Sequence, residues 1–157
     1  MRIGQGYDVH PFEDGRPLIL GGVKFEGEIG LAGHSDADAL CHAVVDALLG
    51  AAALGDIGSH FPSNDPDLRG ADSIELLKRA TRLISAAGCR IVNIDATIVA
   101  QRPRIAPRVP EMRSRLAGAM GLSIGQVSVK ATTTDGLGAM GRAEGISAQA
   151  IVLLDDA

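Results

Sequence analysis

Strand-like and helix-like segments alternate along this chain with no linker, repeat or low-complexity tract between them, and that alternation limits it to layered α/β architectures. Residues 2–10 read as a strand, and 17–25 as a second with an irregularity at Gly21-Gly22. Ser35-Asp36-Ala37-Asp38 offers N-cap side chains to a helix-like run over 36–53, and Gly55 stands just beyond as a stop. Asp72 or Ser73 caps a second helix over 74–87 whose Leu76, Leu77, Ala80, Leu83 and Ile84 share one face; Gly88 ends it. Residues 91–101 read as a strand, 107–120 as a third helix closed by Gly121, and 126–133 and 145–154 as the last two strands. In 157 residues this implies one domain over 1–157. The expected fold is an α/β two-layer sandwich, a mixed β-sheet with a hairpin and with helices on one face. The other face is left bare, and we assign to it Ile94, Ala96, Ile98, Ile146, Ala148, Ala150 and Val152. A bare apolar face predicts burial against copies of the same chain.

Two residue patterns carry chemistry. Asp8 and His10 stand at i and i+2 of the first strand, so both side chains point to one face. His42 sits in the first helix-like run and brings a third group from a neighbouring element. One carboxylate with two imidazoles suits Zn²⁺, and three protein ligands leave a fourth position open, as in catalytic zinc sites. Asp46, four residues after His42 on the same helix face, is expected to orient the imidazole. Cys41 adjoins His42, but neighbours on a helix diverge by about 100°, so Cys41 is read as core filler. The second pattern is a polar stretch over 56–71, rich in Gly, Pro, Asn and Asp; a loop that long in a compact fold is usually functional.

Other stretches exclude functions. The net charge of −4 and the 3% aromatic content argue against nucleic acid, which needs clustered cations and stacking platforms. Arg102, Arg104, Arg108, Arg113 and Arg115 form a basic run, yet Pro103, Pro107 and Pro110 interrupt it, and a small phosphorylated ligand or a solvated helix face fits better. Gly136-Leu137-Gly138-Ala139-Met140-Gly141 matches G-x-G-x-x-G, but a strand follows where a dinucleotide fold needs a helix. Those glycines are read as a tight turn or a close backbone approach. No apolar run approaches the roughly 20 residues of a membrane span, the N-terminal stretch lacks a signal-peptide core, and two cysteines are too few for a disulfide framework. The expected location is the cytoplasm.

Read in order, the motifs acquire a further meaning. Gly6-Tyr7-Asp8-Val9-His10 is followed by Gly33-His34-Ser35-Asp36-Ala37-Asp38, Cys41-His42, and the segment from Gly50-Ala51-Ala52-Ala53-Leu54-Gly55-Asp56-Ile57-Gly58 to Phe61-Pro62. Lys130-Ala131-Thr132-Thr133-Thr134-Asp135 and Gly141-Arg142-Ala143-Glu144-Gly145 complete the series. The series closely resembles the 2-C-methyl-D-erythritol 2,4-cyclodiphosphate synthases, nearly end to end. The resemblance implies conversion of 4-diphosphocytidyl-2-C-methyl-D-erythritol 2-phosphate to the cyclic diphosphate with release of CMP, in the non-mevalonate isoprenoid pathway. It implies one Zn²⁺ per subunit on Asp8, His10 and His42, and Mg²⁺ or Mn²⁺ at Asp135 with the substrate diphosphate. His34 and Thr133 match positions assigned to transition-state stabilisation. Substrate contacts are implied for Asp8, Val9, His10, His34 and Ser35, and for Asp56, Ile57, Gly58, Phe61, Pro62, Ser63, Asn64 and Asp65. Ala100, Gln101, Arg102, Pro103, Arg104, Ile105 and Ala106 match the cytosine pocket, and Thr132, Thr133, Thr134 and Asp135 surround the phosphates. The family is homotrimeric with sites at subunit interfaces; Arg142 and Glu144 match the threefold axis, where an isoprenoid diphosphate binds in some members. Ala139 departs from the aromatic many members carry, Asp135 from a frequent Glu, and Ser63-Asn64 from more usual loop residues. Two competing classes stand beside this reading: a zinc phosphohydrolase that uses the open metal site to activate water, and a non-catalytic trimer that binds isoprenoid diphosphates at Arg142.

Overall fold

Two glycines in the first strand decide how closely the layers approach. The computed structural model describes residues 1–157. Strand β1 (Arg2–Glu13) runs antiparallel to β7 (Gly145–Asp156), β7 antiparallel to β5 (Cys89–Val99), and β5 parallel to β6 (Val127–Thr132). With the short β4 (Gly30–Leu31), the sheet order is β4-β1-β7-β5-β6. Helix α1 (Ala39–Ala51) lies directly on β1 and β7. A Cβ at Gly4 or Gly6 would collide with the carbonyl oxygens of Ala47 and Ala43, so only glycine permits this contact. Alanines at 39, 43, 47 and 51 keep the helix equally slim along the seam, and α1 is buried on almost every side.

Helices α3 (Ser73–Ala86) and α4 (Val109–Met120) complete the layer. Leu76, Leu77, Ala80 and Ile84 of α3 face the core while Glu75, Arg79 and Arg82 face water, as the sequence periodicity requires. The 17–25 strand is a hairpin, β2 (Leu18–Leu20) and β3 (Val23–Phe25), whose turn is Gly21-Gly22 at φ 58° and 71°. The fully buried Asp38 carboxylate accepts both turn N–H groups, at 2.8 and 2.7 Å, and the Cys41 N–H at 3.0 Å as the α1 N-cap. One side chain thus ties the hairpin to the helix that carries His42. The polar 56–71 stretch is partly structured, with a single helical turn α2 (Ile57–His60) and a 3₁₀ turn at Pro66–Leu68. Gly136 and Gly141 make the expected close approach, around another short turn, α5 (Gly138–Gly141).

The sheet faces are the reverse of the sequence assignment. Ile94, Ala96, Ile98, Ile146, Ala148, Ala150 and Val152 are at most 1% exposed and point into the helix layer. The bare face carries the other register set, with Ile3, Tyr7 and Ile151 half to three-quarters exposed. Period-two alternation fixes which residues share a face but not which face the helices cover. Residue size settles it, because the close-packed α1 takes the side of Gly4, Gly6, Ala148 and Ala150.

Candidate metal centre and substrate cavities

The alternation that turns Gly4 and Gly6 toward α1 turns Asp8 and His10 the same way, two and four residues further along. His42, on the first turns of α1, meets them. Asp8 Oδ2 lies 2.8 Å from His10 Nε2 and 3.0 Å from His42 Nδ1, and the two imidazole nitrogens are 3.2 Å apart. The three ligand atoms lie within 4.8 Å of one another, and all three residues are partly buried. His10 Nδ1–H donates to the Ala32 carbonyl at 2.7 Å, which leaves Nε2 facing the cluster. Burial works against the charged Asp8 carboxylate, but the close contacts with the His10 and His42 imidazoles outweigh it and hold its carboxyl well below the usual range. Burial likewise opposes the charged His10, and the Asp8 hydrogen bond and charge overcome it, raising its pKa. Three donors that lean on one another this closely form a set able to grip a cation.

Asp46 does not orient His42. Its Oδ1 accepts the Ile57 N–H at 3.1 Å, because one helical turn carries it past the imidazole to the base of α2. His42 Nε2 is met instead by Ser35 Oγ at 3.1 Å and Ser73 Oγ at 3.0 Å. Ser73 is a residue that sequence reasoning placed only as a cap. Nothing in the local pattern connects it to a histidine 31 positions away. Cys41 is fully buried, as core filler should be.

Beside the triad opens a cavity of about 200 Å³ lined by His10, His34, Ser35, His42, Ile57, Gly58, Phe61, Ser63, Leu68 and Leu76. Of these, Leu68 and Leu76 had no sequence signal beyond hydrophobicity. His34 Nε2–H donates to the Asp65 carbonyl at 2.8 Å, which pins its ring at the rim. Asp56 caps α2, accepting from the Ser59 N–H and hydroxyl at 2.8 and 2.6 Å, bonds that hold its carboxyl below the ordinary value. Pro62 and Asn64 are exposed on the same loop. Val9 points to the bare sheet face, away from this cavity, because it alternates with Asp8.

A second cavity, of about 240 Å³, is lined by Ala100, Gln101, Pro103, Arg104, Ile105 and Ala106 with Ala131, Thr132 and Thr133. Gln101 accepts the Gly136 N–H at 3.3 Å, Arg102 lies over the Phe12 ring at 5.7 Å, and Thr134 donates to the Leu137 carbonyl at 2.6 Å. Asp135 is exposed with φ 52°, its Oδ1 accepting from the Thr133 hydroxyl at 3.2 Å. Arg142 pairs with Glu144 at 2.6 Å on the surface. The register aligns His10 with Ile146, Ser147 with Val99 and Val99 with Thr132, so both cavities lie at one end of the sheet. β1 and β6 are nevertheless three strand spacings apart, about 14 Å. Within one chain, His34 and the triad come together; Thr133 and Asp135 do not join them.

The comparisons with known proteins agree with this geometry. A sequence profile of the YgbB family matches residues 1–155. The chain is 61% identical over 156 residues to the 2-C-methyl-D-erythritol 2,4-cyclodiphosphate synthase of Moorella thermoacetica, covering 99% of this chain and 96% of that protein. It is 54% identical to the synthase of Syntrophomonas wolfei, over the whole of both chains. Among solved structures it superposes on the bifunctional IspDF of Campylobacter jejuni with TM-score 0.96 and 42% identity, covering 99% of this chain and 42% of that longer one. The CDP complex of Plasmodium falciparum IspF matches with TM-score 0.86 and 34% identity, covering 99% and 96%.

Proposed function

The chain belongs to the YgbB family, and from that membership we infer that it converts 4-diphosphocytidyl-2-C-methyl-D-erythritol 2-phosphate to 2-C-methyl-D-erythritol 2,4-cyclodiphosphate, releasing CMP. It is an enzyme of non-mevalonate isoprenoid precursor synthesis. The 2-phosphate of the substrate attacks its own β-phosphorus and CMP departs, an elimination without water that makes the enzyme a phosphorus–oxygen lyase. The nucleophile is already an anion, so the protein needs no serine, cysteine or general base. Its work is to hold two like-charged groups together and to meet the charge that develops.

The observation that carries this reading is the convergence of Asp8 Oδ2, His10 Nε2 and His42 Nδ1 beside an open cavity. A carboxylate and two imidazoles fit Zn²⁺, which when bound supplies a Lewis acid and a template for a phosphate oxygen at its open position. His34 and Ser35 contact the methylerythritol phosphate, with the 56–65 loop over the sugar. Backbone groups of 100–106 read the cytosine, Arg104 meets phosphate, and Asp135 offers a hard carboxylate oxygen to a Mg²⁺ or Mn²⁺ that arrives with the diphosphate. His34 and Thr133 stabilise the transition state.

A homotrimer reconciles the two cavities: the triad of one subunit faces the 100–106 pocket of its neighbour. The half-apolar bare face supports this, as does the separation of the cavities within one chain. The Arg142–Glu144 pair then lines the threefold axis, with Arg142 available to an isoprenoid diphosphate. Two free buried cysteines are in keeping with a cytoplasmic location, and no helix is long and apolar enough to cross a membrane.

Phosphorus NMR of the products from the cytidylated substrate tests the reading. Cyclic diphosphate and CMP are expected, and a linear hydrolysis product would overturn it. His42→Ala removes a ligand whose ion supplies several kcal/mol of charge stabilisation, so ring closure should slow on the order of a thousandfold.

A further inference from the structure

We propose that Asp36 and Ser73 form a relay that fixes His42 in the tautomer able to bind a metal through Nδ1, which makes both of them positioning residues of the metal centre. The proposal builds on the zinc reading above, but its geometry stands without any ion. The His42 ring uses both nitrogens: Nδ1 faces Asp8 and His10, and Nε2 faces the hydroxyls of Ser73 and Ser35. A neutral imidazole carries one proton. Placed on Nδ1, that proton would be donated to Asp8 and would leave no lone pair for an ion. Placed on Nε2, it leaves the Nδ1 lone pair pointing into the triad.

What lies beyond the hydroxyl decides between the two. The Ser73 hydroxyl donates its one hydrogen to Asp36 Oδ1 in a short contact, and the Ser73 N–H donates to Asp36 Oδ2 at 2.9 Å. An ionised carboxylate only accepts, so the direction of the Ser73 hydroxyl is set. With its hydrogen committed, Ser73 Oγ presents lone pairs alone to His42, which favours the proton on Nε2. Ser73 is fully buried, so water does not compete for the bond. Asp36 is itself held, its Oδ1 also accepting the Asp38 N–H at 3.1 Å. Ser35 Oγ accepts the Ala37 N–H at 3.2 Å and stands 3.1 Å from Nε2, from which its hydroxyl is free to accept as a second partner. The arrangement is a carboxylate–imidazole–metal triad with a hydroxyl inserted, and it is carried to His42 by the first residue of α3.

Histidine nitrogen NMR on ¹⁵N-labelled protein, free of metal and in mildly alkaline buffer, reads the tautomer directly. Wild type is expected to show His42 protonated on Nε2, whereas Asp36→Asn and Ser73→Ala should show a mixture or the Nδ1-protonated form. Zinc affinity, measured by competition with a chromophoric chelator, should weaken about 10- to 100-fold in both variants and less in Ser35→Ala. Asp36→Asn is nearly isosteric and serves if Ser73→Ala does not fold. Nδ1-protonated His42 in the metal-free wild type would overturn the relay, as would wild-type zinc affinity and tautomer in Asp36→Asn. A wild-type protein that binds no zinc would instead strike down the metal reading, while the tautomer measurement would still decide the relay.

Discussion

At the scale of single residues, the proposed metal centre depends on what is missing from Gly4 and Gly6. A side chain at either position would meet the backbone of α1, and His42 rides on that helix. Gly6→Ala should therefore cost about 1–3 kcal/mol in urea denaturation, as overpacked sites do, and should weaken zinc binding because His42 is pushed from Asp8. Gly50 lies on the same helix with open space around its Cα, so Gly50→Ala is the control and should leave zinc affinity unchanged. Equal behaviour of the two variants would show that close layer packing does not position the triad. The glycines were visible in the sequence, but their reason was not. A glycine in a strand reads as a bulge or a turn until the element facing it is known.

Among the elements, α1 divides its polar side chains between tasks that sequence spacing does not separate. His42 and Asp46 stand one turn apart, yet His42 turns to the strand and Asp46 to Ile57 at the start of the loop helix. Asp46→Asn keeps an acceptor and should change neither zinc affinity nor KM. Asp46→Ala should leave zinc affinity alone while raising KM about two- to tenfold, the net worth of one hydrogen bond, since residues 57–63 wall the cavity. A fall in zinc affinity in Asp46→Ala, measured by chelator competition, would return Asp46 to the imidazole. The i, i+4 rule correctly puts the two residues on neighbouring positions; it does not say which partner each side chain finds.

For the whole molecule, the distance between cavities is the governing fact. A site that needs both the triad and the residues at the end of β6 cannot be closed by one chain across about 14 Å of sheet. The proposed sharing between subunits has a direct consequence. Mixing the inactive variants His42→Ala and Thr133→Ala, with subunits exchanged at random, should restore about a quarter of wild-type activity, because one interface in four receives both intact halves. No recovery in the mixed assay, with exchange verified by native mass spectrometry, would place both halves in the same chain.

The sequence alone determined the alternation of elements, their caps and approximate bounds, and the grouping of Asp8, His10 and His42 as candidate metal ligands. Each of these is written in local spacing: period two brings Asp8 and His10 to one face, and period 3.6 together with the Asp38 cap frames the start of the helix that holds His42, although that helix closes at Ala52 and a left-handed Ala53 (φ 58°) and not at Gly55. Motif order extended that reading to an activity. Tertiary structure decided which sheet face the helices cover, where Asp46 points, and that Asp36 and Ser73 stand behind His42. Those outcomes depend on volume and on hydrogen-bond partners supplied by segments tens of residues away, and spacing within a single element carries neither.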